Sequence, residues 1–278
     1  KQNLLLSEPP AVGVNEPKNE QLVALRDESK NTFLVELKNE TIKIKGIGVF
    51  NPLESIKNNQ FGDKILIGTK EFVILPASLP ERQIGMKRRA QIIQPKDAGL
   101  LITKLGIGSN SKVLEAGLGS GGLSIQIQNI LGVNGTHITV EPRAEHSEVG
   151  LKNIEFGLKA GCASGNHVHI EGYLEDKTNE ISEICDGFDA IILDLPEHAK
   201  AISAVSNLLR PGGRIACYCP VTSQIEDSWN TCEELGLEIE WAGELIERKW
   251  GRAMKGGIRP VNGPFGHTAF LLIAIKLN

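Results

Sequence analysis

Three glycines spaced two apart, Gly117, Gly119 and Gly121, separate an apolar run that begins at Lys112 from a helical pattern that begins at Gly122. Residues without a Cβ at that spacing allow a tight strand-to-helix turn and a close approach of backbone to a ligand. Three carboxylates belong with them: Glu115 just before the glycines, Glu141 at the end of the next apolar run, and Asp194 at the end of the run that follows Phe188. An acid at the tip of the second strand is placed to accept hydrogen bonds from a ribose diol. A pyrophosphate cradle has the form G-x-G-x-x-G, whereas this loop reads G-x-G-x-G-G after Glu115-Ala116. A carboxylate there repels a pyrophosphate and suits a ligand bearing an amino group and a sulfonium charge. The spacing therefore predicts S-adenosylmethionine rather than a nicotinamide dinucleotide. Each acid also has a plain structural role open to it. Glu115 could cap nearby backbone N–H groups, Glu141 could be a solvated strand end, and Asp194 could be the N-cap of the next helix, with Pro196 in its first turn.

The elements that must hold these residues follow from hydrophobic periodicity. Strands are predicted over 112–115, 137–141, 168–171, 188–194 and 214–219, alternating with helices over 122–131, 144–160, 199–209 and 223–235. That alternation predicts an α/β fold, a doubly wound and mostly parallel sheet covered on both faces. Two further β runs, 237–245 and 268–276, fit an antiparallel hairpin at the sheet edge. Ahead of this domain, residues 85–95 read as a helical, partly basic connector that continues into 96–105. Residues 21–84 carry short β runs (32–37, 41–44, 65–67, 71–75) broken by turn signals, the pattern of a small β-barrel or sandwich. Residues 1–20 are polar and proline-bearing, a flexible tail.

The net charge of −4 argues against a general nucleic-acid coat protein. Two local clusters are basic: Lys87-Arg88-Arg89 with Lys96, and Arg248-Lys249 with Arg252, Lys255 and Arg259. The second holds Trp250 within a glycine-rich stretch, 251–263, expected to be a mobile loop. Basic residues interleaved with an aromatic suit phosphate contact and base stacking, although a solvated loop fits the same residues equally well. The five cysteines (162, 185, 217, 219 and 232) form no CxxC pair, and they read as buried thiols. Cys217 and Cys219 would share a strand face. His267 has no His or Cys partner at metal-ligand spacing, so no metal is expected. No apolar run approaches the ~20 residues that span a bilayer. A soluble, cytoplasmic protein is expected.

Five segments, in order, resemble the tRNA adenine-58 N1 methyltransferases of the TrmI type. They are Lys87-Arg-Arg-Ala-Gln-Ile-Ile-Gln-Pro-Lys-Asp97, Glu115-Ala-Gly-Leu-Gly-Ser-Gly-Gly-Leu123, Leu193-Asp-Leu-Pro196, Pro211-Gly-Gly-Arg214 and Gly266-His-Thr-Ala-Phe270. The resemblance covers residues 85–278 and, more loosely, the N-terminal β region. It implies a class I methyltransferase fold. It further implies that Gln94, Glu115, Gly117, Gly119, Ser120, Gly121, Gly122, Glu141, His146, Gly172, Tyr173 and Asp194 surround S-adenosylmethionine, and that Asp194 does the chemistry. It implies tRNA as partner, met by Lys87, Arg88, Arg89, Arg248, Lys249, Trp250 and Arg252, and a homotetramer. The sequence departs from the family at Gln94, where a tyrosine is usual, at Ala90, often threonine, and at Glu197-His198, in place of a proline and an aromatic residue.

The reaction implied is methylation of N1 of a T-arm adenosine, at position 58, with 57 as a second candidate position. Asp194 would accept a hydrogen bond from the exocyclic amine and stabilise the positive charge that the ring acquires. Two other functions are compatible with the motifs: methylation of a protein carboxylate or small metabolite, and a non-catalytic tRNA-binding subunit. The intact glycine loop and strand-end acid speak against the last.

Overall fold

The structure is a computed structural model that describes residues 15–161, 165–254, 256–261 and 266–278. The expectations for most of the N-terminal tail, for Cys162 and for Lys255 lie outside those residues. The described chain forms two compact units, one up to Met86 together with 159–161, the other from Lys87 onward.

The first unit contains β1 (Leu22–Asp27), β2 (Thr32–Glu36), β3 (Ile42–Ile44), β4 (Gly48–Phe50), α1 (Pro52–Ile56), β5 (Lys64–Ile67), β6 (Lys70–Pro76) and α2 (Leu79–Gly85). Four strands make an antiparallel sheet in the order β2-β1-β6-β5, and β3 pairs with β4 separately. Val23, Leu25, Val35, Phe72 and Ile74 fill its core. The expected barrel is not closed by hydrogen bonding among the described residues, since the sheet stays open at β2 and β5. Sequence periodicity missed β1 because Leu22 to Leu25 are all buried, which leaves no alternation to read.

The second unit contains α3 (Pro95–Lys104), β7 (Lys112–Ala116), α4 (Ser124–Leu131), β8 (Thr136–Glu141), α5 (Ala144–Lys159), β9 (Asn166–Glu171), α6 (Thr178–Ile184), β10 (Phe188–Leu193), α7 (His198–Val205), β11 (Leu209–Cys219), α8 (Thr222–Glu234), β12 (Glu238–Gly243), β13 (Trp250–Arg252), β14 (Ile258–Pro260) and β15 (Phe270–Ile275). Its seven-stranded sheet runs β12-β15-β11-β10-β7-β8-β9. The chain leaves β7 toward β8 and β9 on one side, then returns to β10 and β11 on the other. The strand order therefore reverses between β7 and β10, where a doubly wound sheet opens its ligand crevice. Both faces are buried, as a parallel sheet requires. Ile191 and Leu193 of β10 join one core with Leu114 and Ile215, while Ala190 and Ile192 join the other with Val113, Ile127 and Leu131 of α4. Cys217 and Cys219 do share a face in the first of these cores, and Cys185 and Cys232 are buried there too.

Two expectations are corrected and one is met. The connector 86–94 is not helical: α2 ends at Gly85 and α3 begins at Pro95. Pro95 holds Gln94 in the β region (ψ 151°), and the segment's backbone bonds Ser120 of the glycine loop and the Asn153 side chain of α5. The last two β runs pair antiparallel at the sheet edge as expected, with β12 outermost and β15 between it and β11. Leu271, Leu272 and Ile273 are fully buried, which suits an interior strand. Finally, the stretch 251–263 is not simply a loop. It carries the β13–β14 hairpin, in which Trp250 faces Pro260 and Arg252 faces Ile258.

Candidate active site

The glycine loop begins where β7 ends, and the neighbouring strand delivers Asp194 beside it. Asp194 N–H donates to the Ala116 carbonyl at 2.9 Å, continuing the β7–β10 ladder by one step. Gly117 has φ +96°, and a Cβ there would lie 2.2 Å from the Asp194 carbonyl oxygen. A side chain would have to displace backbone, so glycine is required by both conformation and space. The loop is packed from outside by the segment leading into α3. Ser120 Oγ accepts from the Arg89 and Ala90 N–H groups, both at 2.9 Å, and donates to the Ala90 carbonyl. Asn153 of α5 donates to the Lys87 and Ser120 carbonyls at 2.8 and 2.9 Å. Ile92 lies so close that a Cβ on Gly122 would sit 2.5 Å from its Cβ. Ser120 is thus committed to protein groups, and Asn153 is a support that no sequence motif announced.

A cleft of about 600 Å³ opens outside the strand tips. Glu141, Gly172, Tyr173 and Asp194 line it, together with Arg143 and Lys200, two cations that motif reasoning did not single out. Glu141 is fully buried rather than a solvated strand end. Its Oε2 accepts from Gly119 N–H at 3.0 Å, and its Oε1 accepts from Arg143 Nε at 2.7 Å. Burial opposes ionisation of Glu141, but the Arg143 and Gly119 bonds outweigh it and hold the carboxyl below its usual range. A smaller cavity beneath the loop is lined by Glu115, Gly117, Gly119, Ser120, Gly122 and Asp194, and also by Gln91. Glu115 is buried there, and its Oε2 accepts from Ser124 Oγ at 2.7 Å and from His137 Nε2 at 2.9 Å. The backbone capping role open to it is not what it does.

Asp194 caps no helix, since the N-cap of α7 is Glu197. Burial, then the charges of Glu115 and Glu141, push its carboxyl up to about 7, with Arg143 acting in the opposite direction. Three acids converging on one loop make the crevice electronegative. That excess of acids, set against Arg143 and Lys200, complements a cationic ligand.

Other expected residues are not brought together. Gln94 takes the N-cap position of α3 without a side-chain cap bond, and His146 lies in the first turn of α5; neither lines the two cavities described. Lys96 is taken out of the basic cluster, because its ammonium is bonded to Asp97, the Leu245 carbonyl and Thr268 Oγ1. Thr268 Oγ1 also donates to Asp97 Oδ2 at 2.8 Å, so the Pro-Lys-Asp and Gly-His-Thr motifs meet in one polar knot. His267 is half-exposed, bonded to Glu244 and within hydrogen-bond distance of the Pro220 carbonyl, and lies against Phe270. Lys87, Arg88 and Arg89 are exposed, as are Arg248, Lys249, Trp250, Arg252 and Arg259 around the β13–β14 hairpin. Among the described residues no group of side chains could hold a metal ion, and no helix is long and apolar enough to cross a membrane.

Known proteins share this architecture. A solved TrmI from Aquifex aeolicus, a tRNA (m1A58) methyltransferase, superimposes with a TM-score of 0.70 at 25% identity, covering 95% of this chain and all of that one. A Thermotoga maritima structure titled a SAM-dependent O-methyltransferase gives 0.75 at 26% identity, covering 95% and 96%. The TrmI of Methanocaldococcus jannaschii, named for adenines 57 and 58, is 30% identical over 206 residues, 68% of this chain and 73% of its own length. That of Thermus thermophilus, named for adenine 58, is 30% identical over 207 residues, 73% and 76% of the two chains. The model of the family described as the tRNA methyltransferase complex GCD14 subunit matches residues 71–255, from β6 through the glycine loop and Asp194 to the β13–β14 hairpin. With its class I methyltransferase sheet and the site at the switch point, this chain belongs to that family of tRNA methyltransferases.

Proposed function

We propose that the protein transfers the methyl group of S-adenosylmethionine to N1 of the adenosine at position 58 in the T-arm of tRNA. The observation that carries this is Asp194, a carboxyl on the wall of the large cleft and of the cavity under the glycine loop at once. The relatives' names supply the acceptor.

Glu141, on the wall of the cleft, would receive the ribose hydroxyls of the donor, and Glu115, on the wall of the smaller cavity, its amino group. S-adenosylmethionine supplies an electrophilic methyl group on a sulfonium. N1 of adenine is a weak nucleophile whose lone pair lies in the base plane, normally engaged in pairing, so extracting the base costs a few kcal/mol. Holding N1 in line with the methyl group removes on the order of 7–11 kcal/mol of barrier. Asp194 accepts a hydrogen bond from the exocyclic amine and offsets the positive charge left on the ring when N1 forms its new bond. An ionised Asp194 is required for both tasks.

The exposed cations Lys87, Arg88 and Arg89, and those of the β13–β14 hairpin, are the proposed phosphate contacts, with Trp250 as a stacking surface. A homotetramer in the cytoplasm completes the proposal; the exposure of Ile246 and Ile258 near one hairpin supports self-association. Light scattering on the purified protein tests the tetramer.

The experiment that tests the activity is transfer of labelled methyl into unmodified tRNA, followed by mapping of the modified nucleoside. N1-methyladenosine at position 58 is the expected product. Label entering protein or small molecules but not tRNA would overturn the acceptor assignment. Label at 57 as well would extend it, as in the name of the Methanocaldococcus relative.

A further inference from the structure

On the sheet face covered by α4, the parallel registers set Glu115 beside Thr139, His137 beside His167, and Thr139 beside His169. Positions on that same face of β10 and β11 hold Ala190, Ile192 and Ala216. Polar side chains therefore run across this face on β7, β8 and β9. His137 is fully buried, and nothing in the methyl-transfer chemistry accounts for it.

Its two nitrogens have different partners. Gln128 Nε2 lies 2.9 Å from His137 Nδ1, and the carboxylate beside Nε2 can only accept, which puts the ring proton on Nε2. Nε2 lies 2.9 Å from Glu115 Oε2 and donates to it. Ser124 Oγ donates to the same oxygen at 2.7 Å. Among the described residues both donors converge on Oε2, so Oε1 keeps its accepting capacity for the cavity that Glu115 shares with Asp194. A free glutamate would sample several rotamers, and three acids at one loop would drive it away from the other two. Two fixed donors oppose both tendencies.

We propose that His137, oriented by Gln128, is a positioning residue that fixes Glu115 with Oε1 turned toward the amino group of the bound methyl donor. The proposal rests on the cleft being the donor site. It predicts that His137 matters for the amino-acid end of the ligand and not for its nucleoside.

Calorimetry on the full chain separates these ends, with S-adenosylhomocysteine and methylthioadenosine as probes, since the second lacks the amino-acid end. His137→Phe should weaken S-adenosylhomocysteine about tenfold, the usual effect of losing one bond to a charged group. Methylthioadenosine should change by less than about twofold. His137→Gln, whose amide can reach the same oxygen, should recover most of the loss. In a Glu115→Gln background, His137→Phe should add nothing. Equal weakening of both probes, or of neither, would overturn the positioning role while leaving the donor site intact. Failure of the parent protein to bind either probe would overturn the donor site and the positioning role together. Should the phenylalanine variant not fold, imidazole nitrogen NMR shifts of the parent still decide, because the proposal requires the Nε2–H form and the Nδ1–H form overturns it.

Discussion

Gly117 and Asp194 are locked against one another: the Asp194 carbonyl oxygen occupies the space where a Cβ of Gly117 would stand, 2.2 Å away, while Asp194 N–H bonds the Ala116 carbonyl. The proposed donor loop and the proposed catalytic acid therefore move as one piece of backbone. Gly117→Ala should destabilise the protein by at least about 2 kcal/mol, through a positive φ and a backbone collision together. The midpoint of denaturant unfolding measures this. An unchanged midpoint would mean that the two strand tips are not rigidly joined.

Asp194 is held up to about 7 by burial and by Glu115 and Glu141. Because the ionised form is the active one, kcat/KM should rise with pH through about 7 and then level off. The sign for stability is opposite. Below the unfolded-state pKa both states are protonated, and stability is lost as pH rises toward the folded-state value. Asp194→Asn should therefore abolish most turnover yet raise the melting temperature at about pH 8, with a smaller gain near pH 5. Thermal scans at the two pH values check it; a gain that does not depend on pH would point to packing rather than charge.

Glu141 joins Gly119 N–H to Arg143. Glu141→Gln preserves its shape but removes the charge that orders Arg143 and receives the ribose. The donor's Kd should rise by roughly tenfold or more, in line with loss of a charge-assisted bond, with tRNA affinity little altered. Separate titrations with donor analogue and with tRNA show whether the two effects divide this way.

The knot of Lys96, Asp97 and Thr268 should be structural. Asp97 is fully buried, and Lys96→Ala would strip the cation from its carboxylate, at a cost of about 3–5 kcal/mol. Thr268→Val should cost less, on the order of 1–3 kcal/mol, since Lys96 still faces Asp97. Unfolding curves that rank the two variants the other way would contradict the assignment.

The basic residues around the β13–β14 hairpin predict a salt signature. Affinity for tRNA should fall steeply with ionic strength, and replacing Arg248, Lys249 and Arg252 by alanine should flatten the slope by up to about three counterions. Binding measured over a range of salt tests this directly; parallel lines for parent and variant would remove these residues from the interface.

What the sequence determined on its own was the set of local regularities. The glycine spacing, the alternation of strand and helix periods, and the acids at strand ends are each written within a few consecutive residues. Hence the sheet strands and the loop could be placed from periodicity, with Glu115, Glu141 and Asp194 marked as strand-end acids. The tertiary structure alone decided which groups face which. The segment before Pro95 is an extended cover for the loop and not a helix, because the backbone of Lys87, Arg89 and Ala90 bonds Asn153 and Ser120, 30 residues or more away in the chain. The tertiary structure also committed Lys96 to Asp97 and exposed Arg143 and Lys200 to the cleft. The buried path from Gln128 through His137 to Glu115 has no sequence signature at all. Side-chain hydrogen bonds between strands and helices depend on register and packing, which short-range patterns do not encode.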